Sequence, residues 1–147
     1  MANLLICGVR AWDDNATPPA AKALTTSPVA APAGVMPAVP RANRLRLWVT
    51  IGGTAVSGIA FTLVPVERGT TTTAKHLQTN VQTAIAAGGA VTIEPALYQL
   101  DFAAPVTGQT VPIDVEIFPG VPYLVSVARV GGAADSTAIV TADFAEV

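Results

Sequence analysis

The chain has 147 residues, of which 51% are hydrophobic, 12% charged and 5% aromatic, and eight Lys and Arg stand against ten Asp and Glu for a net charge of −2. That length suits one domain. The charge balance lacks the basic face that general nucleic-acid binding needs, and no apolar run approaches the ~20 residues that carry a helix across a bilayer.

Leu4, Ile6 and Val9 are predicted to form one short strand at the start of the chain. The segment lacks the early positive charge and the longer apolar core of a secretion signal. Leu4-Leu5-Ile6-Cys7 is similar to a lipoprotein attachment box, but bulky Ile6 stands where a small residue is needed. Cys7 reads better as a small buried hydrophobe, and a lone cysteine excludes an internal disulfide. Trp12, beside Asp13 and Asp14, is expected either to anchor the chain on a neighbour or to pack as an ordinary tryptophan.

Six of the 12 prolines fall between Pro18 and Pro40, and between Asn15 and Pro40 the only charge is Lys22. Proline fixes φ and has no N–H, and it pushes the residue before it toward extended geometry. The stretch is therefore predicted to be an extended, partly polyproline-II arm. It carries Leu24, Val29, Val35, Met36 and Val39, more apolar surface than a solvated linker needs. Three placements remain open: on a neighbouring subunit, on its own domain, or loose in solvent. The first is carried forward, with residues 1–40 as strand plus arm and 41–147 as a separate domain that should stay folded without them.

After Pro40 the pattern has period two. Leu45, Leu47, Val49 and Ile51 alternate with Arg44, Arg46, Trp48 and Thr50, so one face is buried and the other wet. Gly52-Gly53 supports a turn, and Ile59, Phe61 and Leu63 alternate up to Pro65, predicting a hairpin from Leu45 to Val66. Leu77, Val81, Ala84 and Ile85 share a helical face before Gly88-Gly89, which fits a short helix over Ala74–Ala87. The β-branched threonines among these residues leave strand or loop as the alternative. Strands are then expected at Val91–Ile93, Leu97–Phe102, Val111–Ile117, Tyr123–Val130 and Thr137–Phe144, with a hairpin loop around Asp135 and Ser136. Short strands delimited by turns indicate an all-β fold, a compact β-sandwich preceded by the arm, with one short helix at most.

Two stretches support a sandwich by resemblance. Val49 to Leu63 (VTIGGTAVSGIAFTL) resembles the opening hairpin of transthyretin-like and carboxypeptidase-regulatory-like sandwiches. Val115 to Val127 (VEIFPGVPYLVSV) resembles the later strands of fibronectin type III domains, where a Pro-Gly turn leads to a tyrosine. By that resemblance Tyr123 sits at a strand corner and bonds its hydroxyl back to the chain. Small size, few charges, Ala/Thr/Val/Gly/Pro richness and the apolar arm together resemble tailed-phage virion proteins, nearest to capsid decoration proteins.

Catalytic patterns are weak. His76 is the only histidine, and no Gly-x-Ser-x-Gly elbow surrounds a serine. One His and one Cys cannot complete a tetrahedral zinc site. Asp114 and Glu116 share a strand face, but calcium takes six to eight oxygens, usually from a loop. Charge placement is more informative. Residues 1–68 hold six Lys or Arg against three acids, and residues 69–147 hold two against seven. The halves either neutralise each other in one fold or favour contact between copies. Arg41, Arg44 and Arg46 cluster at the arm junction, where arginine suits bidentate contacts with carboxylates.

The sequence therefore predicts no enzyme and no cofactor, metal, nucleic acid, membrane or small-molecule substrate. It predicts a virion structural protein at the capsid surface, a decoration subunit contacting the major capsid protein and copies of itself; the resemblance implies a trimer. The expected contact residues are Trp12, Leu24, Val29, Val35, Met36, Val39, Arg41, Arg44 and Arg46. The alternatives are another virion part (tail tube, connector or fibre-associated protein) or a cell-surface β-sandwich recognition module.

Overall fold

A computed structural model describes residues 3–27, 29–30, 36–65 and 97–147. The helix expected over 74–87, the strand over 91–93, and His76 lie outside the described residues.

Among the described residues the fold is an all-β sandwich of two antiparallel sheets. Its strands are β1 (Asn3–Trp12), β2 (Lys22–Ala23), β3 (Val29–Ala30), β4 (Arg44–Gly52), β5 (Val56–Pro65), β6 (Leu97–Val106), β7 (Gln109–Glu116), β8 (Tyr123–Val130) and β9 (Thr137–Glu146). The first sheet runs β1-β9-β4-β7, with β2 pairing β9 beyond the end of β1; the second runs β3-β8-β5-β6.

Alternation in β4 works as the sequence indicates. Leu45, Leu47, Val49 and Ile51 are buried, while Arg44, Arg46, Trp48 and Thr50 face outward. In β9, Ala138, Val140, Ala142 and Phe144 point into the same core. From the second sheet Val56, Ile59, Phe61, Tyr123, Val125 and Val127 meet them.

The expected hairpin from Leu45 to Val66 does not form. β4 pairs with β7 and β9, whereas β5 pairs with β6 and β8. The turn at Gly52-Gly53 carries the chain across the sandwich, so the apolar faces of β4 and β5 oppose each other instead of lying side by side. Gly53 has φ +73°, and a Cβ there would fall 2.0 Å from the Asp135 carbonyl oxygen, so the loop packing admits only glycine. The Asp135–Ser136 loop likewise joins β8 to β9 across the sheets and is not a hairpin. Ser136 is fully buried; its hydroxyl donates to the Thr54 carbonyl at 2.6 Å and accepts from Ala133 N–H at 3.1 Å.

The N-terminal segment belongs to this sandwich. β1 is ten residues long and pairs with β9. Beyond it the described residues of the arm lie on their own chain. β2 pairs with β9 in the first sheet and β3 with β8 in the second, so the arm crosses the side of the sandwich between them. Leu24 N–H donates to Ser136 O and Met36 N–H to Tyr123 O, both at 2.8 Å. Trp12, Leu24 and Met36 are each no more than 2% exposed. Residues before and after the boundary expected at residue 40 therefore contribute to one core cluster.

Tyr123 meets the corner expectation. Its hydroxyl accepts a 2.9 Å hydrogen bond from Phe118 N–H, which closes the turn through Pro119-Gly120. Cys7, expected to be buried, is exposed, because β1 is an edge strand bent by register shifts at Leu4/Ile6 and Ile6/Val9.

Two outcomes follow for stability. Leu24→Ala or Met36→Ala should each cost about 2–5 kcal/mol, read as a lower urea midpoint with unchanged slope. Tyr123→Phe should cost about 1 kcal/mol in the same measurement.

Candidate protein interface

Of the apolar contact residues expected on the arm, Trp12, Leu24 and Met36 do not face outward. Trp12, Leu24 and Met36 are core residues, because the arm finds its apolar shelter in the chain's own sandwich. Val39 is half-buried and packs against that core. Val29 lies in β3, paired with Val127, and Val35 lies outside the described residues.

Of the three junction arginines, Arg41 and Arg46 are exposed and Arg44 is half-buried, and each has a partner within the chain. Arg41 pairs with Glu146, Arg44 with Glu116 at 3.3 Å, and Arg46 forks onto Asp114 at 2.6 and 2.9 Å. All three acids come from the second half of the sequence, so these three opposed charges are paired inside one fold. Register explains the match, since Arg44 stands opposite Glu116 and Arg46 opposite Asp114 across β4 and β7. Asp114 is held below the ordinary carboxylate range, chiefly by its hydrogen bonds from Arg46. Asp114 and Glu116 do share a face, and arginine takes up their charge.

These pairs belong to an ordered outward face on the first sheet. Arg46 is flanked by Asp143 on β9 as well as by Asp114 on β7. Trp48 Nε1 donates to Asp143 at 2.8 Å, and Gly8 N–H donates to the other carboxylate oxygen at 2.9 Å. The Arg46 guanidinium lies over the Trp48 ring, 5.4 Å from its centroid, within cation–π range. Pro112 and Thr141 stand opposite Trp48, and the Thr50 and Thr110 hydroxyls meet at 2.9 Å. Beside this row a hollow of 280 Å³ is bordered by Leu4, Arg44, Arg46, Asp114 and Val147.

The sequence reading placed Trp48 on the wet face but not among the contact residues, and did not place Asp143 there at all. Trp48 occupies an outward position in a strongly alternating strand, which was the available signal. Asp143 is the only carboxylate in β9 before Glu146, but its tie to Trp48 depends on strand pairing.

A second cleft, of 390 Å³, opens between β6 and β7 and is lined by Phe61, Tyr98, Leu100, Ile113 and Val115. Phe61 and Tyr98 stack there with centroids 5.2 Å apart. Among the described residues no group of three or more His, Cys, Asp or Glu is placed to hold a metal ion, and no helix is long and apolar enough to cross a membrane. No family model matches the sequence, and no curated protein matches it.

The other ordered charge cluster fixes the turn after β1. Asp13 is 1% exposed and receives Arg10 Nε and Nη2 at 2.8 and 2.6 Å and Asn15 N–H at 2.7 Å. Asp14 receives Ala16 and Ala20 N–H at 3.0 and 2.9 Å. The Arg10 hydrogen bonds hold the Asp13 carboxyl below its ordinary value, against the opposing cost of burial. A lowered folded-state value makes this contribution complete above about pH 4, the unfolded value, and lost as pH falls through the folded one. Asp13→Asn should therefore cost about 2 kcal/mol at pH 7. The gap from the parent should narrow below about pH 4, as urea midpoints at pH 7 and pH 3 would show.

Proposed function

We propose that this chain is a virion structural protein, a capsid decoration subunit that docks on the outer lattice formed by the major capsid protein. The sequence supports this through its small size, scarcity of charge and Ala/Thr/Val/Gly/Pro character. The observation that carries the reading is the outward face of the first sheet. There Arg44, Arg46, Asp114, Glu116 and Asp143 are already matched to partners, and Trp48, Pro112 and the Thr50–Thr110 pair lie among them.

A face of this kind suits docking for a physical reason. Bringing an unpaired charge out of water costs several kcal/mol. A charge already paired within the chain leaves less to compensate when a lattice covers it. Trp48 supplies a large apolar ring whose N–H keeps its acceptor, the composition of an interface hot spot. Behind the face, Trp12, Leu24 and Met36 pack into the core under the first sheet, which favours a small loss of ordering entropy on binding. Binding that favours the assembled shell stabilises it by mass action, and the effect repeats at every lattice position.

Purified protein mixed with capsids of the phage that encodes it should co-sediment with them. Trp48→Ala and Arg46→Glu should each weaken binding by about tenfold or more. Gln99→Ala, on the opposite sheet, should bind as the parent does. Failure of the parent to co-sediment would overturn the capsid reading. Unchanged binding by both face variants would overturn the assignment of this face.

A further inference from the structure

The charged side chains Arg44, Arg46, Asp114, Glu116 and Asp143 on the outward face of the first sheet each have a partner within the chain. Arg46 forks onto Asp114 at 2.6 and 2.9 Å, and Arg44 meets Glu116 at 3.3 Å. Asp143 stands opposite Arg46 in the register, and both of its oxygens are taken, by Trp48 Nε1–H at 2.8 Å and by Gly8 N–H at 2.9 Å. Neutral groups are matched as well. The Thr50 and Thr110 hydroxyls bond to each other at 2.9 Å, and Pro112, opposite Trp48, has no N–H to offer. What the face leaves unanswered is apolar: the Trp48 ring, and the 280 Å³ hollow whose walls include Leu4 and Ala145. Leu4 is 61% exposed.

This pattern discriminates between the surfaces that could cover it. An acidic surface would have to draw Arg46 from Asp114, or Arg44 from Glu116, and would leave a carboxylate covered without its cation. A basic surface would have to draw the same acids from their arginines, or Asp143 from Trp48 and Gly8. Breaking a covered pair in this way costs more than the new contact returns, because the abandoned group stays out of water and uncompensated. An uncharged surface asks for no rearrangement. The pairs stay closed beneath it, and its apolar groups cover Trp48 and enter the hollow.

We infer that the patch of capsid lattice that covers this face is itself uncharged, presenting apolar and neutral polar side chains, one of which fills the hollow beside Leu4. The inference rests on the docking proposed above and adds to it the chemistry of the partner surface. The matched charges then act as a filter: they tolerate a neutral surface and refuse strongly charged ones, so specificity comes from what is excluded as well as from what is gained.

Co-sedimentation of the parent protein with capsids over a salt series tests this. From about 0.1 M to 1 M sodium chloride the screening length falls from about 10 Å to 3 Å. Binding to an uncharged patch should hold within about threefold over that range, whereas charges set against each other across an interface make binding salt-dependent. A charge exchange supplies the second arm. Glu116→Arg alone sets two like charges side by side and should weaken binding by about fivefold or more. Arg44→Glu combined with Glu116→Arg restores the pair with its polarity inverted, and should bind within about twofold of the parent. Exposed pairs add little to stability, so both variants should keep the parent's circular dichroism and urea midpoint. A tenfold or greater loss of parent binding with salt, a double variant as weak as the single one, or a single variant that binds as the parent does would each overturn the inference. A parent that stays out of the pellet at every salt concentration overturns the capsid docking itself, an outcome distinct from the salt-dependent binding that a charged partner would give.

Discussion

Trp12, Leu24 and Met36 enter the space between the sheets from a segment whose two strands after β1 are only two residues long each. Their burial holds the molecule together at the β8–β9 side. The arm leaves β9 at Ala23, delivers Leu24 to the core, and reaches β8 at Val29. A sandwich of two short sheets has exposed apolar flanks wherever its edges do not meet, and here the strap that carries Leu24 and Met36 places them over one of these flanks. Proline makes the strap practicable, since a chain already restricted in φ loses less freedom when it is laid down.

With so few charged residues, the use of each is informative. Arg44 and Arg46 sit on the outward side of β4 and face acids on β7, while Asp143 on β9 takes the Trp48 indole N–H. Exposed pairs of this kind add little to stability one by one. Their alignment matters more for register. A slip of one residue in β4 would bring the arginines inward and the leucines outward, and the facing acids reward only the correct pairing. The same matching leaves an outward surface with its charges answered, on which the proposed docking depends.

Strands were legible in the sequence where one face is buried and the other wet. β4, β7, β8 and β9 were readable within a few residues because Leu45–Ile51, Val111–Val115 and their counterparts alternate strictly. Neighbours were not legible. Alternation reports which side of a strand meets the core but not which strand lies beside it, so β4 and β5 looked like a hairpin although they face each other across the core. The arm shows the same limit. Leu24 and Met36 announced that they would be buried, but burial in one's own core and in a neighbour's core leaves the same trace in composition. Trp48 was visible as an outward aromatic, whereas its tie to Asp143 exists only once β4 and β9 are paired. Cys7 was misread because its exposure follows from an edge position and two bulges that no local pattern encodes.

The position of β9 has a consequence for how the molecule comes into being. It is the last of the described strands along the chain, yet it lies between β1 and β4 in the first sheet and also receives β2. During synthesis β1 and the strap emerge long before the strand they lean on, and β4 waits for half of its ladder. Closure of the first sheet is therefore a late event dominated by contacts between distant parts of the chain, the kind of topology that folds slowly. In the interval the uncharged stretch from Asn3 to Val9 waits for β9, the one strand that pairs with it among the described residues, and a nascent chain carries that stretch uncovered by β9 until the last of its described strands has left the ribosome.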